Sequence, residues 1–201
     1  MGCWLMVWVK ATSKDGDGTS AFSSWTFTSS EFMMILNFTE ATTTLNDYFR
    51  VGYNTIDSGS NYAWNSSQNG STNSTGTSRS EGILNQSATT DAGEVGFRVI
   101  YVSNLASEEK LFIGHVVDQV SSGGGTAPNR REGVYKWANS TNQINIVGSY
   151  TASGTYNANS NITALGSDGT ESLGVQDGAI FYETDTNKEY LLSNNTWTEI
   201  P

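Results

Sequence analysis

The apolar positions along this chain recur at a spacing of two or fill short unbroken runs, and they are cut at short intervals by Gly, Ser, Thr, Asn and Asp. That pattern predicts strands separated by turns. Residues 3–10 are apolar on both faces, which suits a strand covered on both sides or lodged against a neighbouring subunit. Phe22, Trp25 and Phe27 open a second strand region. Residues 31–39 (EFMMILNFT) form the most apolar segment and are the expected core strand; residues 48–54 alternate and predict a half-buried one. Residues 95–102, 110–120, 132–137, 143–150 and 161–166 continue the series, with 132–137 and 143–150 expected to pair with each other. Residues 57–80 are expected to be a polar surface excursion or long loop, anchored by Tyr62 and Trp64. No stretch sustains the i, i+3, i+4, i+7 spacing of an amphipathic helix. About ten short strands without a helix predict an all-β chain, a two-sheet antiparallel sandwich of the jelly-roll type.

Near the C-terminus the pattern restarts. Residues 167–177 are polar and turn-rich, and DGAIFYETDTNKEYLLSNNTWTEIP then reads as a hairpin with a closing third strand. The expected organisation is a β-sandwich domain over residues 1–167 and a small β-hairpin module over 168–201.

Composition narrows the function. Hydrophobic residues are 36% and charged residues 15%, and the formal net charge is −10. A surface that tracks nucleic acid needs clustered Lys and Arg, whereas Arg130 and Arg131 are the only adjacent basic pair among ten basic residues. One cysteine, Cys3, allows no internal disulfide, and with a single histidine, His115, no Cys/His zinc site can be assembled. The apolar run near the N-terminus is too short to span a bilayer. No cofactor is expected, with calcium at Asp15 and Asp17 as a weak candidate: DGDG looks like a fragment of a calcium loop, but no acidic residue follows at the spacing that would close a cage, so a plain turn is the competing reading.

Candidate chemistry is sparse. His115 shares a strand face with Ile113 and Val117, while Gly114, Val116 and Asp118 take the other, so a structural histidine is expected and a nucleophile triad is not. Glu108, Glu109 and Asp118 are not singled out as a glycosidase pair among so many carboxylates, and Arg130, Arg131 and Glu132 suit ion pairs between strands or subunits. The chain is expected not to be an enzyme. Tyr62, Trp64, Tyr135 and Trp137 lie beside polar loops and are candidates for a sugar-stacking platform, with burial in the core as the alternative. Asn65, Asn69 and Asn73 stand in Asn-x-Ser/Thr triplets within the polar excursion and are candidate glycosylation sites.

The segments YFRVGYNTIDSGSNYAW, NSSQNGS, SEEKLFIGHVVDQ and TAPNRREGVYKWANSTNQINIV, with SNITALGSDG ahead of FYETDTNKEY and a Trp close to the chain end, Trp197, resemble virion proteins encoded by marine tailed viruses. The resemblance implies a jelly-roll-like decoration, spike or fibre component at the virion surface, whose partners are copies of itself, other virion proteins and a host-surface glycan. A carbohydrate-binding attachment module, or an extracellular surface-layer or appendage subunit, is the alternative. Subunit contacts are expected at Trp4, Leu5, Val7 and Trp8 and at Phe181, Tyr182, Tyr190 and Trp197, because both stretches carry more apolar surface than a small free module can hide.

Overall fold

The computed structural model describes residues 8–19, 22, 25–40, 47–83, 95–119, 121–151, 154–167, 178–193 and 196–200. All regular structure among them is β, and no helix is long and apolar enough to cross a membrane. The chain divides into two compact units, Trp8–Gly166 and one that includes Ser167–Pro201.

The larger unit is an all-β antiparallel sandwich of unequal sheets. Its larger sheet joins β1 (Val9–Asp15), β3 (Phe32–Glu40), β6 (Tyr62–Gln68), β7 (Ser74–Arg79), β9 (Val95–Ser103), β10 (Lys110–Asp118), β11 (Asn129–Trp137) and β13 (Asn161–Ser167). Their spatial order is β1-β13-β3-β9-β10-β11-β6-β7. The smaller sheet runs β2 (Trp25–Thr26), β12 (Ile146–Thr151), β4 (Asp47–Tyr53), β5 (Thr55–Ile56), with β8 (Gly82–Ile83) also on β4. Between them lies one core, to which the larger sheet supplies Met33, Ile35, Ile100, Val102, Phe112 and Ile162, and the smaller one Phe49, Val51 and Val147.

Two expected elements differ. Residues 57–80 contain a hairpin, β6 and β7, at the edge of the larger sheet. Its turn has Asn69 at φ 51° and Gly70 at φ 75°, closed by a 2.9 Å bond from the Ser71 N–H to the Gln68 carbonyl. Positive φ at both central residues is what an Asn-Gly hairpin turn requires. Residues 132–137 and 143–150, in turn, do not pair with each other. β11 lies in the larger sheet and β12 in the smaller. The connection turns the corner at Asn139, whose Oδ1 accepts from the Thr141 N–H at 3.0 Å and the Asn142 N–H at 2.9 Å.

Polar fastenings tie the sheets. Asn104, fully buried after β9, donates from Nδ2 to the Ser30 carbonyl at 2.8 Å and the Ile144 carbonyl at 3.1 Å. Its Oδ1 accepts from the Ile144 N–H at 2.6 Å. The Tyr62 hydroxyl donates to the Val51 carbonyl at 2.8 Å and accepts from the Val51 N–H at 3.0 Å, joining β6 to β4. Desolvation raises this phenol well above its ordinary range.

The smaller unit is a three-stranded sheet, β14 (Ile180–Glu183), β15 (Lys188–Ser193) and β16 (Thr196–Ile200), with Asn187 at φ 54° in the turn after β14. Register places Phe181 opposite Tyr190, and Leu192 opposite Trp197. Phe181 lies 6.1 Å, centroid to centroid, from both Tyr190 and Trp197.

Replacing Asn104 by Ala orphans the buried Ile144 N–H and frees two buried carbonyls. The expected loss is about 2–4 kcal/mol, read as a lower urea midpoint at unchanged slope. A loss under about 0.5 kcal/mol would mean that the sheets are not tied at this point.

Candidate functional site

In a pleated strand, alternate side chains take opposite faces, and on β3, β9 and β10 of the larger sheet both sets are largely apolar. On β10, Lys110, Phe112, Gly114, Val116 and Asp118 point inward, leaving Leu111, Ile113, His115 and Val117 outward. On β9 the outward set is Val95, Phe97, Val99, Tyr101 and Ser103, and on β3 it is Phe32, Met34, Leu36, Phe38 and Glu40. Glu40 stands opposite Val95 at the end of the face, its carboxylate accepting from Asn157 Nδ2 and Asn159 Nδ2 at 2.8 Å. The residues before that last pair form an apolar block. Register aligns these in cross-strand rows: Phe32-Ser103-Leu111, Met34-Tyr101-Ile113, Leu36-Val99-His115 and Phe38-Phe97-Val117. Leu111 is 56% exposed, Ile113 53% and Tyr101 44%. None of the twelve positions carries a carboxylate, Lys or Arg.

Charge returns at the next strand. On β11 the outward set is Arg130, Glu132, Val134 and Lys136, with Val134 continuing the row of Ile113. Lys136 Nζ sits 2.8 Å from Glu109 Oε2, and Arg130 Nε 3.6 Å from Glu132 Oε1. Such solvated pairs contribute little stability; here they neutralise the rim of the apolar block.

The face is shallowly sculpted. One open depression of about 340 Å³ brings Asn65, Asn73, His115 and Glu132 to Ile113 and Val134. Another, of about 500 Å³ and almost wholly apolar, runs along Ala63, Leu111, Ile113 and Val134. Behind them, Gly114 and Gly133 pair across β10 and β11. A Cβ on Gly133 would lie 2.4 Å from the Tyr135 hydroxyl oxygen, and one on Gly114 3.1 Å from the same ring. The two glycines are the slot in which Tyr135 lies against the inner side of the sheet. Burial pushes its phenol up to about 12, against the pull of Arg131 and Arg98.

The sugar-stacking platform expected at Tyr62, Trp64, Tyr135 and Trp137 does not form. All four rings face the core, at 3%, 7%, 7% and 2% exposure. The strands bring them together, but on the inward side of the pleat, where no sugar ring reaches them. The Trp64 ring lies over Gly76 of β7, and Trp137 Nε1 donates to Asp57 Oδ2 at 2.7 Å. Desolvation raises the Asp57 carboxyl, but bonds from Trp137, Asn61 and Gly59 outweigh it and hold the group below its ordinary value.

His115, expected as a structural histidine, stands on the exposed face, and the pleat sends Asp118 of the same strand into the interior, at 3% exposure. Asp15 accepts from Asn161 Nδ2 at 2.6 Å, and Asp17 from the Thr19 N–H and hydroxyl at 3.1 and 2.6 Å, so both act as turn and strand-end acceptors. Among the described residues no group of three or more His, Cys, Asp or Glu is placed to hold a metal ion. Asn65, Asn69 and Asn73 are exposed. The Asn69 amide also fastens the hairpin to β11, donating to Asn129 Oδ1 at 2.7 Å and accepting from the Arg130 N–H at 2.9 Å. Trp4, Leu5 and Val7 lie outside the described residues, and Trp8 is half-buried. Phe181, Tyr182 and Trp197 are 52%, 49% and 41% exposed, with Tyr190 half-buried.

No known protein family, curated protein or solved structure matches the chain. The outward face of β3, β9 and β10 is the feature that sequence reading passes over. Its signal is present: residues 32–38, 95–102 and 110–117 are apolar at both parities, the mark of a strand with two dry faces.

Neighbouring positions on β10 should respond oppositely. In protein dilute enough to be monomeric, Phe112→Ala is expected to cost about 3–5 kcal/mol, and Ile113→Thr under about 0.5 kcal/mol, by chemical denaturation; equal losses there would show that the outward side is covered within the single chain. Asp57, held low when folded, contributes stability that is full above its unfolded-state value near 4 and is lost as pH falls toward the folded value. Asp57→Asn should therefore flatten the stability profile between about pH 5 and pH 3. An acid limb identical to that of the parent chain would remove Asp57 from the acid response.

Proposed function

We propose that this chain is a structural subunit of a virus particle, carried at its surface as a decoration, spike or fibre component, and that it acts by assembly and not by turnover. The observation that carries the reading is the outward block of β3, β9 and β10, four rows and twelve positions without a carboxylate, Lys or Arg on a chain of net charge −10. Soluble monomers rarely expose contiguous apolar patches beyond about 300–600 Å², and a surface of this kind gains from being covered. The smaller unit adds a second exposed apolar surface in Phe181 and Trp197, which lie 6.1 Å apart on one face of its sheet, with Tyr182 exposed on the other. Its partners on this reading are further copies of itself and other particle proteins. In a cellular owner the same surfaces suit a surface-layer or appendage subunit, which would form sheets or filaments without an enclosed genome.

A second reading has its own observation. The depression that gathers Asn65, Asn73, His115 and Glu132 beside Ile113 and Val134 offers hydrogen-bonding groups next to aliphatic ones, the mix that a carbohydrate presents in mirror image. An attachment module would use this outer trough and not the buried aromatics. Modification of Asn65 or Asn73 would fill the same space.

Light-scattering chromatography of the purified chain, followed by electron microscopy, tests the first reading. Defined oligomers or ordered arrays are expected; a monomer at all concentrations that binds a glycan and loses it on Glu132→Ala would replace assembly by attachment.

A further inference from the structure

The assembly reading leaves open what covers the larger sheet, and the geometry points to a second copy of the same face. We infer a two-fold stack of two larger sheets, face to face, with the axis running along β9. The inference rests on the assembly reading.

Charge is the first argument. Two chains of net charge −10 repel wherever carboxylates meet. The four rows from Phe32 to Phe38 on β3, β9 and β10 are the block where none would, with Glu40 one row beyond them. The block is three strands wide with β9 at its centre, so a rotation about β9 returns it onto itself. β3 of one copy then overlies β10 of the other with the rows retained: Phe32 meets Leu111, Met34 meets Ile113, Leu36 meets His115 and Phe38 meets Val117. Phe97, Val99 and Tyr101 meet their own equivalents. The charged column of β11 falls over the outward side of β13, namely Asn161, Thr163 and Leu165, where polar partners replace carboxylates. A rotation about an axis across the strands would instead set the Arg130 end of one β11 against the Lys136 end of the other. Self-complementarity of this kind is the property of a two-fold interface.

Area is the second argument. Phe38, Phe97, Tyr101, Leu111, Ile113, Val117 and Val134 are seven large side chains each 36–56% exposed, and with the half-buried residues among them they supply the apolar centre that a standard stable interface of ~800 Å² per partner requires. Sheets stack ~10 Å apart with strands within ~30° of alignment, which suits side chains of this length.

Sedimentation equilibrium and cross-linking of the full chain test the stack. The parent should dimerise, about ten-fold more tightly in ~500 mM than in ~50 mM salt because the surrounding negative charge is screened. Tyr101→Asp, at an exposed position, should keep the same circular dichroism and weaken the dimer at least ~100-fold. Val99→Cys in a Cys3→Ser background should be cross-linked to its own copy by a short bis-maleimide, and Thr75→Cys on β7 should not. A parent chain that oligomerises while Tyr101→Asp has no effect and Val99→Cys stays uncoupled would overturn the stack and leave assembly standing through another surface. A parent that stays monomeric would overturn both.

Discussion

One constraint governs the larger unit: an eight-stranded sheet has its inner face closed by a smaller one. The pleat then sorts every residue. Even-numbered positions of β9 and β10 turn inward and odd ones outward. The inner set makes the core, and the smaller sheet is held to it by apolar contact and by the Tyr62 and Asn104 bonds. These polar groups cannot be traded for water, because each serves a backbone group that is itself buried. Among the described residues of this unit no second sheet covers the outer set. That asymmetry leaves the larger sheet with an exposed apolar face.

The inner face is not uniform along its length. Toward one end the apolar rows give way to Asn37, Arg98, Arg131 and Gln68, and then to Thr39 and Asp118. Arg98 and Arg131 are almost fully buried. A Cβ on Gly96 would come within 2.8 Å of Asp118 Oδ1 and 3.1 Å of Thr39 Oγ1, so the backbone at Gly96 is part of how this charge is housed. Removing one member of such a buried charged group is costly, because it leaves the others uncompensated away from water.

Much of this architecture is legible in the chain. The strands follow from period-two runs between turn residues, and the terminal module from its restart after a polar gap. The β6–β7 hairpin is not visible as apolar periodicity, because between Asn65 and Arg79 it has none; only the Asn-Gly turn marks it. The aromatics mislead for a different reason. Proximity to polar loops says where a ring lies along a strand, whereas the pleat decides which side it takes, and at Trp64 and Tyr135 that side is inward. The outer face was open to the reasoning applied to residues 3–10, since apolar residues at both parities call for two covers. What sequence cannot supply is the second sheet's extent, and so which side remains uncovered.

The two borders of the larger sheet add a consequence for growth. Among the described residues β1 and β7 are its outermost strands, and both are polar and irregular. Pairing skips a residue between Lys10 and Thr12 on β1, and again opposite Tyr62 and Trp64 on β7, where Ser78 takes φ 52°. Bulges, lysines and short polar side chains on a border resist the addition of a further strand. Enlargement of this sheet by hydrogen-bonded ladders, the route to fibrils, is therefore disfavoured at both described borders, so that its broad apolar face is not matched by edges that template further strands.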